Sequence, residues 1–161
     1  MTDRYATDPH ATDPYVEPDR IHIDPSAHNW KAFKDLPRDT PIHMLNLLLY
    51  RQLADYPEGH EHHGKGWTGK RAYEEYGATS GPIFQRVGGT VVWRGAFETM
   101  VTGPDVREWH DGFVAFYPNA GAFLEMVTDP DYQIAVQNRS AALLDSRLMR
   151  FEPGVPGDVF G

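Results

Sequence analysis

Residues 41–50 read Pro41-Ile42-His43-Met44-Leu45-Asn46-Leu47-Leu48-Leu49-Tyr50. The run is strongly apolar and too brief for most helices, so it reads as a central β-strand. One residue breaks it. Asn46 carries a primary amide into the apolar stretch, and a buried amide has to find hydrogen-bond partners. It is either a core amide satisfied by bridging strands or a pocket group that polarises a substrate carbonyl.

The flanking sequence supplies the other elements. Upstream, Ser26 is an N-cap candidate for a short helix in which Trp30 and Phe33 lie three apart, ending before Pro37. Downstream, 51–66 is a polar loop. Thr68 caps a helix running to about Val87, with Tyr73, Tyr76, Ser80, Phe84 and Val87 on one side. Gly77, Gly81 and Pro82 weaken that helix and predict a kink or break near Pro82, and Gly88-Gly89 ends it. Thr90–Val101 alternates as a strand, with Val91, Trp93, Gly95 and Phe97 facing one way and Val92, Arg94, Ala96 and Glu98 the other. After a turn at Gly103-Pro104-Asp105, Trp109–Tyr117 reads as another strand, with Trp109, Asp111, Phe113, Ala115 and Tyr117 sharing a face. Asn119 caps a short helix bearing Phe123, Leu124 and Val127. Asp129 caps the next, with Pro130 at its first position and helical periodicity to about Leu144. Arg147–Phe151 is a last short strand.

Around the added first helix and short third one, the order strand, helix, strand, strand, helix, strand is the ferredoxin-like split βαβ pattern, an α+β fold with four antiparallel strands. Helices then cover one face of the sheet. The other face carries enough apolar strand surface to predict that a second copy covers it, giving a homodimer.

Bulk properties narrow the classes. The 161 residues fit one domain with tails: an acidic, proline-containing arm over 1–25, a domain over 26–152 and a tail over 153–161. The arm repeats Ala-Thr-Asp-Pro at Ala6–Pro9 and Ala11–Pro14, and is either flexible or wraps a partner subunit through Tyr5, Tyr15 and Val16. A net charge of -8 without a Lys/Arg run argues against nucleic acid and against an anionic membrane surface. Cysteine is absent, so there is no thiol nucleophile and no thiolate metal site. The opening MTDRYATDPH does not resemble a signal peptide, and no run approaches the roughly 18 apolar residues of a membrane span. A cytoplasmic location is expected.

The sharpest candidate for chemistry is Arg139. Tyr132, Val136, Arg139 and Leu143 share one stripe of the last predicted helix, and a guanidinium among apolar neighbours is costly unless something anionic or hydrogen-bonding meets it. The structural reading is a salt bridge to Asp111 or links to backbone carbonyls. The functional reading is an anion-binder whose planar fork grips a carboxylate or enolate. Asn46, Tyr76, Asp111 and Arg139 form the catalytic short list, with Trp93, Trp109, Tyr117 and Tyr132 as substrate-binding candidates. A tyrosine there is either core packing or a phenol that donates to a developing enolate. Asp111 is either a base or the ion-pair partner of Arg139.

His60-Glu61-His62-His63 invites a metal reading, since closely spaced imidazoles chelate zinc, copper or nickel. Gly64 stands where the zincin motif needs its second histidine, and a glycine-rich loop is poor ligand geometry, so a solvated loop is expected and His60, His62 and His63 remain a weak metal candidate. Gly88-Gly89 lacks both phosphate-loop spacings and follows a helix, and no G-x-S-x-G occurs. His43 and His110 fall on predicted strands without an axial-ligand context for haem. No cofactor is expected.

Several short motifs occur in a shared order: Met44-Leu45-Asn46-Leu47-Leu48, Ala72-Tyr73-x-x-Tyr76, Gly88-Gly89, Trp109-x-Asp111, Tyr117-Pro118, Phe123-Leu124-x-Met126, Asp129-Pro130-x-Tyr132 and Arg139-x-x-x-Leu143-x-Asp145-Ser146. Over about residues 41–150 this order resembles the bacterial domain-of-unknown-function family 1330. The resemblance implies a dimeric α+β barrel, in which two ferredoxin-like sheets pack face to face. That superfamily includes cofactor-free monooxygenases, lactone isomerases, polyketide cyclases and haem enzymes, besides proteins without known activity. It implies no particular reaction, and the His-rich loop departs from it.

Three functions follow as expectations. The first is a cofactor-independent enzyme acting on a small aromatic or carboxylated metabolite by proton transfer or enolate stabilisation, in a pocket lined by Asn46, Tyr76, Trp93, Asp111 and Arg139. The second is a non-catalytic metabolite-binding protein. The third is a structural dimer with a closed interior and Arg139 paired to Asp111.

Overall fold

The computed structural model describes residues 21–105, 109–157 and 159–160. Most of the acidic arm, with Tyr5, Tyr15, Val16 and the Ala-Thr-Asp-Pro repeats, lies outside the described residues. The elements are α1 (Ala27–Asp35), β1 (Ile42–Tyr50), α2 (Gly69–Arg86), β2 (Thr90–Ala96), β3 (Asp111–Tyr117), α3 (Ala120–Thr128), α4 (Pro130–Ala142) and β4 (Leu143–Phe151).

All four helices start where their caps predict. The side chains of Ser26, Thr68, Asn119 and Asp129 each accept from a backbone N–H of the first turn, at 2.7–3.1 Å. Gly88, at φ +85°, turns the chain out of α2 in a left-handed conformation that a side chain would resist. The four strands form one antiparallel sheet in the order β2-β3-β1-β4, the ferredoxin-like arrangement.

Four boundaries differ from the sequence reading. α2 runs unbroken through Pro82, because Ala72, Ser80 and Ile83 bury one side of it and packing outweighs the missing N–H. β3 begins at Asp111, leaving Trp109 and His110 ahead of it. β2 stops at Ala96. β4 is longer than expected and follows α4 without a loop. Leu143, read as the last rung of the helical stripe, is already a strand residue paired with Tyr50.

Alternation along β1 divides its side chains. Ile42, Met44, Asn46 and Leu48 face the helices, while His43, Leu45, Leu47 and Leu49 face the other way. The helix-side core is consequently two clusters. Met44 belongs to one, with Ile83, Tyr117, Phe123 and Met126; Leu48 belongs to the other, with Tyr56, Ala72, Ala142 and Leu143. Asn46 stands between them, and a cavity occupies the gap.

Candidate functional site

The cavity lies between the helix-side face of the sheet and helices α1, α2 and α4, with a volume of about 1270 Å³. Its floor at mid-height is a cross-strand row. Arg94 of β2 pairs with Phe113 of β3, which pairs with Asn46 of β1, which pairs with Leu148 of β4. Tyr73 and Tyr76 descend from α2, and Tyr132 and Arg139 from α4. The N-terminal strap, residues 22–26, and α1 wall the β4 side.

Arg139 is only 8% exposed. Its Nη1 donates to the Ile23 carbonyl at 2.7 Å and its Nη2 to Ser146 Oγ at 3.2 Å. No carboxylate among the described residues pairs with it. The expected partner is engaged elsewhere: Asp111 Oδ2 accepts from the Tyr50 hydroxyl at 2.7 Å. Of the two structural alternatives for Arg139, the link to a backbone carbonyl is present and the ion pair with Asp111 is not.

The strap is itself tied down. The Ser146 N–H and Oγ both donate to the His22 carbonyl, and the His22 N–H donates to Asp145 Oδ1. Asp145 is almost fully buried and also accepts from Arg147.

Asn46 donates through Nδ2 to the Met44 carbonyl of its own strand at 3.0 Å. It bridges no strands, and no other described residue holds it. Its Oδ1 and second N–H are therefore left for a cavity occupant. The Tyr76 and Tyr132 hydroxyls share a hydrogen bond of 2.9 Å. Ser80 Oγ returns to the Tyr76 carbonyl, and the Tyr117 hydroxyl points at Met126 Sδ, 3.7 Å away.

The phenols of Tyr73, Tyr117 and Tyr132 are acids held well above their usual range. Burial is the first cause for Tyr117 and Tyr132, reinforced in both by the Tyr76 phenol beside them. Burial also raises Tyr73, against the pull of the Arg139 and Arg94 guanidiniums. Such groups donate hydrogen bonds at neutral pH and do not act as bases. Among the described residues only His22 and Asp24, both on the strap, bring an imidazole or a carboxylate to the lining. Four arginines border the same space: Arg94, Arg139, Arg147 and Arg150.

Asn46, Tyr76, Tyr117, Tyr132 and Arg139 thus come together as expected. Three others do not. Trp93 is on the opposite face of the sheet. A β-bulge between Val91 and Trp93 shifts the register, so Val91 and Arg94 turn toward the helices while Trp93, 54% exposed, lies over Gly95 and Gly112 beside Leu47. Asp111 belongs to a separate cleft with Tyr50, Arg51, Lys70 and His110. There the His110 ring stacks on Tyr50 and its Nδ1 accepts from the Tyr50 N–H. Trp109 is buried away from the cavity, under the Arg147 guanidinium.

The His-rich loop is less solvated than expected. His60 stacks on Tyr56 and His62 packs at a tilt against Trp67, with ring centroids 4.6 and 4.2 Å apart, and His63 Nδ1 donates to the Tyr56 carbonyl. The Tyr56 hydroxyl in turn donates to Asn138 Oδ1 of α4, which anchors the loop. Among the described residues no three potential ligands converge on a metal position.

Sequence reasoning missed Arg94, Ser146 and the strap as parts of the site. Nothing in a single sequence announces the bulge that turns Arg94 inward. The short alternation Ile21-His22-Ile23 was the one available signal for the strap.

A family model described as a domain of unknown function, DUF1330, matches residues 67–150. The chain belongs to the DUF1330 family. Its likeness to one solved structure is extensive: RPA0582, a protein of unknown function from Rhodopseudomonas palustris, is 46% identical over 85% of this chain and all of that one, with a TM-score of 0.77. The methylated form of RPA0582 gives 47%, 85% and 98%, with a TM-score of 0.78. SnoaB, a cofactor-independent oxygenase from Streptomyces nogalater, is 12% identical over 74% of this chain and 99% of its own, with a TM-score of 0.48, too loose a likeness to bear on the chemistry of this DUF1330 protein. No curated protein matches the chain. No helix among the described residues is long and apolar enough to cross a membrane.

Proposed function

We propose that the cavity binds a small aromatic or otherwise unsaturated carboxylate and stabilises the enolate or phenolate formed from it, without a cofactor. One observation carries this reading: Arg139 is almost buried, borders the cavity and has no carboxylate partner among the described residues. A guanidinium so placed gains most from an anion that enters with a ligand. In this reading Arg139 holds the carboxylate, the Asn46 amide polarises a carbonyl, the Tyr76–Tyr132 pair donates to the developing oxyanion, and the proton that leaves the ligand passes to the Asp24 carboxylate of the strap. Asp111 has no part in it, because Tyr50 occupies its carboxylate outside the cavity. A purely structural dimer is disfavoured by the open interior.

Calorimetry with benzoate and phenylpyruvate tests the anion site. The wild type is expected to bind, Arg139→Met to bind at least tenfold more weakly, and Arg139→Lys to recover part of the loss. Equal binding by wild type and Arg139→Met overturns the reading.

A second reading, a non-catalytic binder, is favoured by the lack of any base on the helix–sheet body of the cavity. Deuterium exchange at the acidic C–H of bound phenylpyruvate separates the two. Exchange faster with protein than in buffer supports an enzyme; an unchanged rate supports a binder.

We also propose that the protein is a cytoplasmic homodimer. The outward face of the sheet presents Leu45, Leu47, Trp93, Val114 and Phe116, and no described helix packs over it. An apolar face of that extent is stabilised by burial against a second copy.

A further inference from the structure

Of the four arginines that border the cavity, Arg147 pairs with Asp145, Arg139 and Arg150 donate to backbone carbonyls, and Arg94 has no such partner among the described residues. Arg94 forms no hydrogen bond and no ion pair with any described residue, although acidic side chains outnumber basic ones 23 to 15 in the chain. The β2 bulge is what turns it toward the helices. It stands at the β2 edge of the floor row, and Arg139 stands at the β4 edge, where its Nη2 rests on Ser146. β2 and β4 are separated by three inter-strand spacings, about 14 Å at the backbone. Arg94 and Arg139 both border the cavity, one toward each edge of the sheet.

What lies between them is flat and has one polar group. Phe113 forms the floor beside Asn46, and Tyr73 descends from above. The Tyr73 hydroxyl feels both guanidiniums, and the Asp111 carboxylate as well. By strand order the two arginines border the cavity from its β2 and β4 sides. An arginine left without a protein carboxylate at each end, in a chain of net charge -8, is suited to a ligand with two negative charges.

We infer that the ligand is a dianion: a conjugated or aromatic dicarboxylate, with one carboxylate on Arg139 and Ser146 and the other on Arg94. This rests on the anion-binding reading above and adds to it the second charge.

Calorimetry with terephthalate and benzoate distinguishes the two readings. The wild type is expected to bind terephthalate at least tenfold tighter than benzoate. Arg94→Gln, at an exposed position that should tolerate the change, is expected to bring that ratio close to one. Arg139→Met should weaken both ligands, with Arg139→Lys as the check if the methionine variant fails to fold. Affinity for terephthalate should also fall more steeply with added salt. If the wild type binds both ligands equally, or Arg94→Gln leaves the ratio unchanged, the dianion inference fails while the anion site stands. If benzoate binding is indifferent to Arg139, or neither ligand binds at millimolar concentration, both readings fail.

Discussion

Asn46 occupies a position where the fold would be better served by leucine. Its neighbours along the helix-side face, Met44 and Leu48, belong to separate core clusters, and one self-directed hydrogen bond to the Met44 carbonyl is all that holds its amide. A polar group kept at such a place costs stability, which is common where a site has been built into a core. Asn46→Leu is therefore expected to leave the protein as stable or more stable, by about 1 kcal/mol, while weakening the binding of phenylpyruvate, whose keto group the amide meets, more than that of benzoate. Chemical denaturation and calorimetry on the same sample check the two halves of that statement. The burial of Asn46 and Arg139 among apolar neighbours was legible in the sequence, because a polar residue inside an apolar pattern is visible without coordinates. The partners of Arg139 were not. Ile23 lies 116 residues away, and the choice between Asp111 and a backbone carbonyl was made by Tyr50, which takes the carboxylate first.

The elements were legible where a cap or a period marked them, and less so where packing decided. Ser26, Thr68, Asn119 and Asp129 announced four helices, and β1 was evident from its apolar run. The bulge in β2 was not, and it exchanged Trp93 for Arg94 on the cavity side. The join between α4 and β4 was also hidden, since Ala141-Ala142-Leu143-Leu144 has no breaker and only the pairing with β1 ends the helix. Asp129 gives α4 a charged start. Its carboxylate accepts from Arg86, and that bond, helped by the backbone N–H groups of Asp131 and Tyr132, holds it below the usual carboxylate range. A depressed native pKa means that the stabilisation is complete above the unfolded-state pKa and is lost as pH falls through the native one. Asp129→Asn keeps the cap and removes the charge. The variant is expected to be less stable than wild type at pH 7, with the difference vanishing on acidification. Denaturation midpoints from pH 7 down to pH 2 would reveal this, and a difference that persists in acid would contradict it.

At the scale of the whole molecule, the charge distribution and the bare sheet face point in compatible directions. The chain is acidic, yet the cavity between sheet and helices is bordered by four arginines and, among the described residues, one carboxylate. The outward face is apolar, and a second copy placed there would leave the cavity on the far side of each sheet unobstructed. Leu47→Glu puts a charge at the middle of that face. It is expected to shift sedimentation from dimer to monomer without loss of helical signal; a wild type that already sediments as a monomer would refute the paired assembly. The strand order β2-β3-β1-β4 has a further practical meaning. The stretch that identifies the family starts at residue 67, after β1 has ended. An expression fragment trimmed to that stretch would carry the two strands that flank the gap and omit the one that fills it. Its exposed ladder edges would invite aggregation, so such a fragment is expected to be recovered insoluble where the chain from residue 21 onward is not.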